Sequence, residues 1–290
     1  VFVTKLPRHE IGQAALNSLR RFGVDTSRIA RGGDRLGVYY LEKGASQRPS
    51  KVIYDRSMSA FALSKPSDYD WDCIFEGADW FHFTGITPAL GGRIADICLY
   101  AAREARRRGI TVSCDLNYRK KLWTREEACR VMSEICQNVD ICIANEEDAA
   151  DVFGIYAAET DVQKGTLNRD GYVSVARQLS KRFGFKVVAI TLRESLSAND
   201  NHWSAMMYTD EKAYFSRKYP IHIVDRVGGG DSFGAGLIYA MLSGWNEQKI
   251  IEFAVAAGCL KHTVEGDYNM MSKEEVLSLA EGNASGRVQR

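Results

Sequence analysis

Asp225-Arg-Val-Gly-Gly-Gly-Asp231-Ser-Phe-Gly-Ala-Gly236 is the stretch that decides how this chain is read. Three consecutive glycines run into an aspartate, and residues 232–242 follow with a helical period. Glycine lets a backbone take conformations closed to other residues and approach a ligand closely. A helix start adds N–H donors that lack intrahelical partners, together with a partial positive charge. The combination is a cradle for an anion such as a phosphoryl group. A carboxylate inside such a cradle is electrostatically unfavourable, and accepting a proton from a hydroxyl is a task that accounts for Asp231 there. A glycine-rich strand-to-helix turn capped by Asp231 explains the same residues without any chemistry. On these residues alone the two readings stand level.

Outward from this segment, short apolar runs alternate with helical periods. Residues 80–83 read as a strand, and Thr87-Pro88 then supplies an N-cap and a proline at the first helical position. That helix is expected to run through Ile94, Ile97, Cys98 and Ala101 to Gly109. Strand 110–114, helix 126–137, strand 139–144 and helix 146–153 follow, and 172–182 with 186–191 repeat the unit. Near-continuous apolar strands between helices predict an α/β fold with a mostly parallel central sheet and helices on both faces. Residues 203–208 and 213–218 add a hairpin before the glycine segment.

Residues 28–57 differ. Runs 29–31, 38–41 and 51–54 are short and β-like, broken by Gly32-Gly33 and by Lys43-Gly44-Ala-Ser-Gln-Arg-Pro49. They predict a small sheet projecting from a core made of 1–27 and 58–290. A decorative hairpin is the plainer alternative.

At 290 residues the chain is long enough to bury a large core, and 45% hydrophobic with 26% charged residues suits a globular protein. Lys and Arg number 38 against 37 Asp and Glu, so no global field argues for nucleic acid or a membrane surface. The local cluster Arg103, Arg106, Arg107 and Arg108 closes a predicted helix, where cations suit the helix dipole. Seven cysteines are scattered without a C-x-x-C pair, which points to a reducing, cytoplasmic setting. The five histidines show no metal-type spacing with them, and no zinc site is expected. No run of 18 apolar residues occurs, and the start lacks the charged and apolar regions of a signal peptide.

Asp225-x-Val-Gly-x-Gly-Asp231-x-Phe-x-Ala-Gly236 resembles the C-terminal signature of the ribokinase (PfkB) family of carbohydrate kinases, D-T-x-G-A-G-D. Arg226 replaces the usual Thr or Pro, and Gly229 the usual Ala. Phe83-Thr-Gly-Ile-Thr-Pro-Ala-Leu90, Val112-Ser-Cys-Asp-Leu-Asn-Tyr-Arg119, Leu122-Trp123, Gly37-Val-Tyr39 and Val52-Ile-Tyr-Asp-Arg56 are similar to the 2-keto-3-deoxygluconate kinases within it. The similarity runs from Val3 to Asp267.

The resemblance implies a ribokinase-like fold in which the small sheet is a lid over the sugar. It also implies transfer of the ATP γ-phosphoryl to 2-keto-3-deoxygluconate with Mg²⁺. It makes Asp231 the base and Gly228, Gly229 and Gly230 the anion hole. Tyr39, Tyr54, Arg56, Ile86, Arg119 and Asp267 would contact the sugar acid. Open α/β sheets bind ligands at the carboxyl ends of their strands, where Arg119 lies, and an arginine there suits a carboxylate. Asn145, Thr191, Arg193, Gly228 and Gly230 would contact the nucleotide, and Asn145 with Asp148 the magnesium, through water. Asp148 replaces the family's Glu, and an N-capped helix explains these residues equally well. The glycine-rich turn that the family places after Thr191-Leu-Arg193 is here Glu194-Ser-Leu-Ser-Ala-Asn199. Ala254-Val-Ala-Ala-Gly258 matches the adenine-flanking helix, and equally suits tight helix packing.

Family members begin with a strand and a Gly-Gly/Asn segment upstream of the element matching 1–6. The expectation is therefore of a chain short of its first strand, part of its lid and several substrate contacts. Expected partners are ATP and a sugar acid, with a homo-oligomer formed through the lid and neither nucleic acid nor membrane. The alternatives are a fructokinase or another PfkB sugar kinase, or a catalytically impaired sugar-binding fragment. No Walker sequence occurs, and no strand is followed by G-x-G-x-x-G, which disfavours a P-loop kinase and a dehydrogenase.

Overall fold

The computed structural model describes residues 1–157 and 168–283. Contacts divide the chain into two units, Val1–Glu42 with Lys51–Asp140, and Lys43–Ser50 with Ile141–Arg290.

The first unit begins with β1 (Lys5–Leu6) and α1 (Glu10–Arg21), whose acid at the start and arginines at the end suit the helix dipole. Strand β2 (Ala30–Arg31) runs parallel to β1, and Leu6, Leu16 and Ile29 form a buried cluster with them. The sequence reading placed 29–31 in the small sheet. Ile29 instead finds its apolar partners in β1 and α1, so the small sheet consists of β3 (Val38–Glu42) and β4 (Lys51–Asp55), paired antiparallel. Strand alternation puts Tyr39, Leu41, Val52 and Tyr54 on its half-buried face and leaves Tyr40 and Ile53 exposed opposite each other.

Next come α2 (Trp71–Phe75), β5 (Trp80–Thr84), α3 (Gly92–Arg107), β6 (Thr111–Asp115) and α4 (Arg125–Ile135). Strands β5 and β6 are parallel, with Thr84 beside Asp115 at their carboxyl ends. The helix expected from Pro88 onward is interrupted. Pro88–Leu90 forms one 3-10 turn, and Gly91 at φ 132°, a conformation that favours glycine, separates it from α3. Helix α3 buries Ile94, Ile97, Cys98, Ala101, Ala102 and Ala105, the stripe its period requires. Its terminal Arg107 pairs with Glu104 at 2.6 Å, and Arg106 donates to the Gln137 carbonyl, as at a solvated helix end.

The two strand ends are laced together. Gly85 N–H donates to the Asp115 carbonyl at 2.7 Å, and a Cβ at 85 would overlap the Leu116 carbonyl oxygen. Asn117, at φ 40°, donates from its amide to Thr84 Oγ1 at 3.1 Å.

The second unit contains β7 (Ile141–Ala144), α5 (Asp148–Phe153), α6 (Arg169–Phe183), β8 (Val187–Ser195), β9 (Asp200–Thr209), β10 (Lys212–Phe215) and β11 (Tyr219–His222). Helices α7 (Gly229–Leu242), α8 (Glu247–Lys261) and α9 (Lys273–Ala280) complete it. Strand β8 is parallel to β7 and antiparallel to β9, and both β10 and β11 pair with β9. All four residues of β7 and the first six of β8 are buried, which their apolar character allows. Helices α7 and α8 meet through small residues. A Cβ at Gly236 would lie 3.0 Å from Ala257 Cβ and 3.1 Å from Ala254 Cα. Ala254 and Ala257 therefore serve helix packing.

Among the described residues no helix is long and apolar enough to cross a membrane. All seven cysteines are free.

Candidate active site

The glycine segment leaves β11 and turns into α7 over a buried support. Asp225 is 6% exposed, and its carboxylate accepts the N–H groups of Val227 at 3.2 Å and Gly266 at 3.1 Å. Burial alone would raise its pKa. Those two bonds and the Lys43 ammonium, 3.4 Å away, outweigh it and hold Asp225 below the usual carboxylate range. Gly228 sits at φ 77°, where a Cβ would lie 2.5 Å from the Asp267 carbonyl oxygen. A Cβ at Gly229 would overlap the His262 imidazole. Gly230 faces open space, and Asp231 is exposed in the first turn of α7. Two glycines are thus required by what lies beneath the turn, while the third leaves its outer side bare.

His262 carries that support, and sequence reasoning missed it. Its Nδ1–H donates to the Gly258 carbonyl at 2.6 Å, its ring lies 5.1 Å from Trp203, and its own carbonyl accepts from Val224 and Asp225 N–H. Gly258 is needed as well, because a Cβ there would come within 3.1 Å of the Gly229 carbonyl and the Trp203 ring. Lys261 is fully buried, donates to the Val264 carbonyl at 3.0 Å, and has its pKa pushed down by burial against the pull of Asp225 and Asp267. A His or Lys at the end of a helix carries no sequence signal that separates these roles from a solvated face.

Around the ends of β7 and β8 the expected nucleotide residues divide. Asn145 and Asp148 cap each other: Asn145 Oδ1 accepts from Glu147 and Asp148 N–H, and Asp148 Oδ2 accepts from Asn145 N–H at 2.8 Å. Thr191 is buried with its hydroxyl directed to the Ala144 carbonyl. Arg193, two residues on, is half-buried, and its Nη2 lies 3.4 Å from the Glu146 carboxylate. Burial pushes Glu146 up, with Arg193 opposing. The buried Nε of Arg193 has no partner among the described residues. A bare glycine turn and an unsatisfied guanidinium donor fit a polyphosphate. Among the described residues no group of three or more His, Cys, Asp or Glu forms a metal cage.

The first unit gathers a separate set. Tyr39 and Tyr54 are cross-strand partners with ring centroids 6.4 Å apart, and the Arg56 guanidinium lies 4.4 Å from the Tyr54 ring and 5.9 Å from Tyr39. Burial pushes the Arg56 pKa down, the nearby Arg119 charge adds to this, and the tyrosines oppose it. Arg119 has a buried Nε without a partner, and no ion pair among the described residues uses either arginine. Ile86 lies in the turn after β5, its N–H reaching Thr84 Oγ1 at 3.4 Å. Asp267, expected among the sugar contacts, is exposed in the second unit, with its carbonyl against Gly228.

A bare glycine turn opening a helix on an α/β scaffold, in the same unit as a guanidinium with an unpartnered buried donor, suits phosphoryl chemistry. Residues 1–274 match the pfkB family of carbohydrate kinases, and the chain belongs to that family, with its ribokinase-like fold. It is similar to 2-dehydro-3-deoxygalactonokinase of Haloferax volcanii, 29% identical over 285 residues, covering 98% of this chain and 83% of the relative. It is similar also to 2-dehydro-3-deoxygluconokinase of Bacillus subtilis, 28% identical, covering 96% and 79%. The crystal structure of 2-dehydro-3-deoxygluconokinase from Thermotoga maritima superposes with a TM-score of 0.93 at 52% identity, covering 97% of this chain and 83% of that one.

His262 gives the site a pH signature. Burial pushes its pKa down from 6.5 to about 4, against the opposing bond to Gly258, and neighbouring cations add to the fall. Between those values the unfolded chain binds a proton that the folded chain refuses. The stabilisation is therefore complete above about 6.5 and is lost as pH falls towards 4. His262→Phe is expected to remove on the order of 3 kcal/mol of that dependence. Urea unfolding from pH 7 to 4 reads it as a flatter curve for the variant. Parallel curves would rule out a buried neutral imidazole.

Proposed function

We propose that the chain transfers the γ-phosphoryl of ATP to a hydroxyl of 2-keto-3-deoxygluconate (2-dehydro-3-deoxygluconate). The observation that carries this reading is the pair Arg56 and Arg119, two neighbouring guanidiniums with no carboxylate partner among the described residues. Desolvated like charges are unfavourable unless an anion joins them. A neutral sugar brings none, whereas a sugar acid brings the missing carboxylate. The names of the sugar-acid kinases it resembles support the same class. The galactonate epimer carries the same carboxylate, so these arginines accept either sugar acid.

In this reading the chemistry is positioning and charge stabilisation. Arg56 and Arg119 fix the carboxylate end, and Tyr39 and Tyr54 flank the sugar. Asp231 accepts the proton of the attacking hydroxyl. The N–H groups of Gly228, Gly229 and Gly230 and the start of α7 face the charge that develops on the phosphoryl oxygens. Magnesium, when bound, neutralises phosphate charge and keeps several of its waters, through which Asn145 and Asp148 would meet it.

Asp231→Asn should lower kcat by roughly 10²–10⁴-fold, the usual range for a positioned proton acceptor, while ATP still binds. Steady-state kinetics with a nucleotide titration checks this, and near-wild-type turnover would remove Asp231 from the role of base. Arg119→Ala should weaken binding of the sugar acid by roughly 2 kcal/mol or more while leaving slow turnover of neutral sugars unchanged. Equal losses for both substrate types would point to a folding defect instead.

We also propose that β3–β4 is a lid over the sugar and that a second copy covers its outer face. Two strands do not make a stable sheet alone, and Tyr40 and Ile53 leave that face 61% and 54% exposed at an apolar cross-strand pair. Glutamates at both positions should turn a dimer into a monomer by light scattering; a wild-type chain that is monomeric at high concentration would overturn the dimer. A cytoplasmic location accords with seven free cysteines, and recovery from an oxidising compartment would contradict it.

A further inference from the structure

We propose that Arg226 is a phosphate-binding residue, which with Arg193 forms a two-guanidinium seat for the terminal phosphates of the nucleotide. The inference rests on the kinase reading and deepens it, because Arg226 stands where the family signature has Thr or Pro.

Three observations converge. Arg193 sits on β8 opposite Trp203, whose ring lies 5.1 Å from the His262 ring under Gly229, and Arg226 lies two residues ahead of Gly228. The two cations thus adjoin the same glycine turn. Arg226 is held from one side only: its Nη2 donates to the Ala198 carbonyl at 2.8 Å, which fixes its direction without neutralising it. No ion pair among the described residues takes Arg226, and burial first, then the Arg193 charge, pushes its pKa down. Arg193 has one distant carboxylate, that of Glu146, and a buried Nε without a partner. A guanidinium cannot shed its charge, so the pair keeps one positive charge beyond that of Glu146, with the exposed Asp231 in the first turn of α7.

The surrounding loop explains why arginines stand here. Glu194-Ser-Leu-Ser-Ala-Asn199, the end of β8 and the turn after it, stands in place of the glycine-rich turn, and the N–H groups of 196–199 are bonded within the unit. In this chain the loop instead presents the Ala198 carbonyl that orients Arg226. Side-chain donors thereby take the place of main-chain donors. A single fork is satisfied by one phosphate group, but two forks and a helix start match the greater charge of a nucleoside di- or triphosphate, which is the ligand class of the seat.

Calorimetric titration of the intact chain with ADP, AMP and tripolyphosphate, in the presence of magnesium, tests this. Arg226→Gln keeps an N–H for the Ala198 carbonyl and removes the charge. It should weaken ADP and tripolyphosphate about tenfold or more, the scale of a charge-assisted hydrogen bond, and leave AMP nearly unchanged. Arg226→Lys should recover part of the loss, and Arg193→Gln should show the same ligand preference. ADP binding at wild-type strength in Arg226→Gln would overturn the seat while leaving the kinase reading intact. Equal losses for AMP and ADP would make Arg226 merely structural. A wild-type chain that binds tripolyphosphate but not ADP would overturn the nucleotide assignment and the kinase reading together.

Discussion

The contact on which the second unit's site depends is between an imidazole and the place where a side chain would be. His262 fills the space of a Cβ at Gly229, its carbonyl receives the incoming chain at Val224 and Asp225, and its Nδ1–H is tied to Gly258. Remove any one of these and the turn loses a wall. Gly258 in turn admits both the Gly229 carbonyl and the Trp203 ring. The arrangement is rigid because packed aromatic and backbone surfaces cannot yield by small amounts. The proposed anion-binding role needs that rigidity, since donors act best when they already point outward before a ligand arrives.

Both units concentrate positive charge that the protein does not itself neutralise. Arg56 and Arg119 do so in the first and Arg226 in the second, beside an Arg193 that meets the Glu146 carboxylate at 3.4 Å. Arg56 is oriented by tyrosine rings and Arg226 by a main-chain carbonyl, both uncharged, whereas Arg193 lies against the Glu146 carboxylate. Orientation without neutralisation is the feature on which the proposed binding roles rest. Arg107, paired bidentately with Glu104 at a solvated helix end, is the contrast.

Much of this is legible in the sequence, and the illegible parts share one cause. Alternating apolar strands and helical periods are local signals, so β5 to β8 and the helices between them follow from pattern alone. The glycine segment is legible because a run of glycines ahead of an aspartate is rare. Strand β2 was not, since its choice of β1 depends on where Leu6 and Leu16 lie in space. The break at Gly91 needs a backbone angle that composition does not reveal. His262, Lys261 and Glu146 were hidden because their roles come from burial by residues far away in the chain. Asn145 and Asp148 were read as cap and as ligand at once, and the geometry shows each side chain accepting the other's backbone N–H.

The unneutralised pair Arg56 and Arg119 also bears on the lifetime of the protein. In the proposed reading a sugar-acid carboxylate joins these two arginines, and it stabilises the protein by binding the folded state alone. Substrate then acts as a folding ligand: the population of intact protein rises with the concentration of the compound it consumes. Supply and catalyst become coupled through thermodynamics, with no regulatory domain between them.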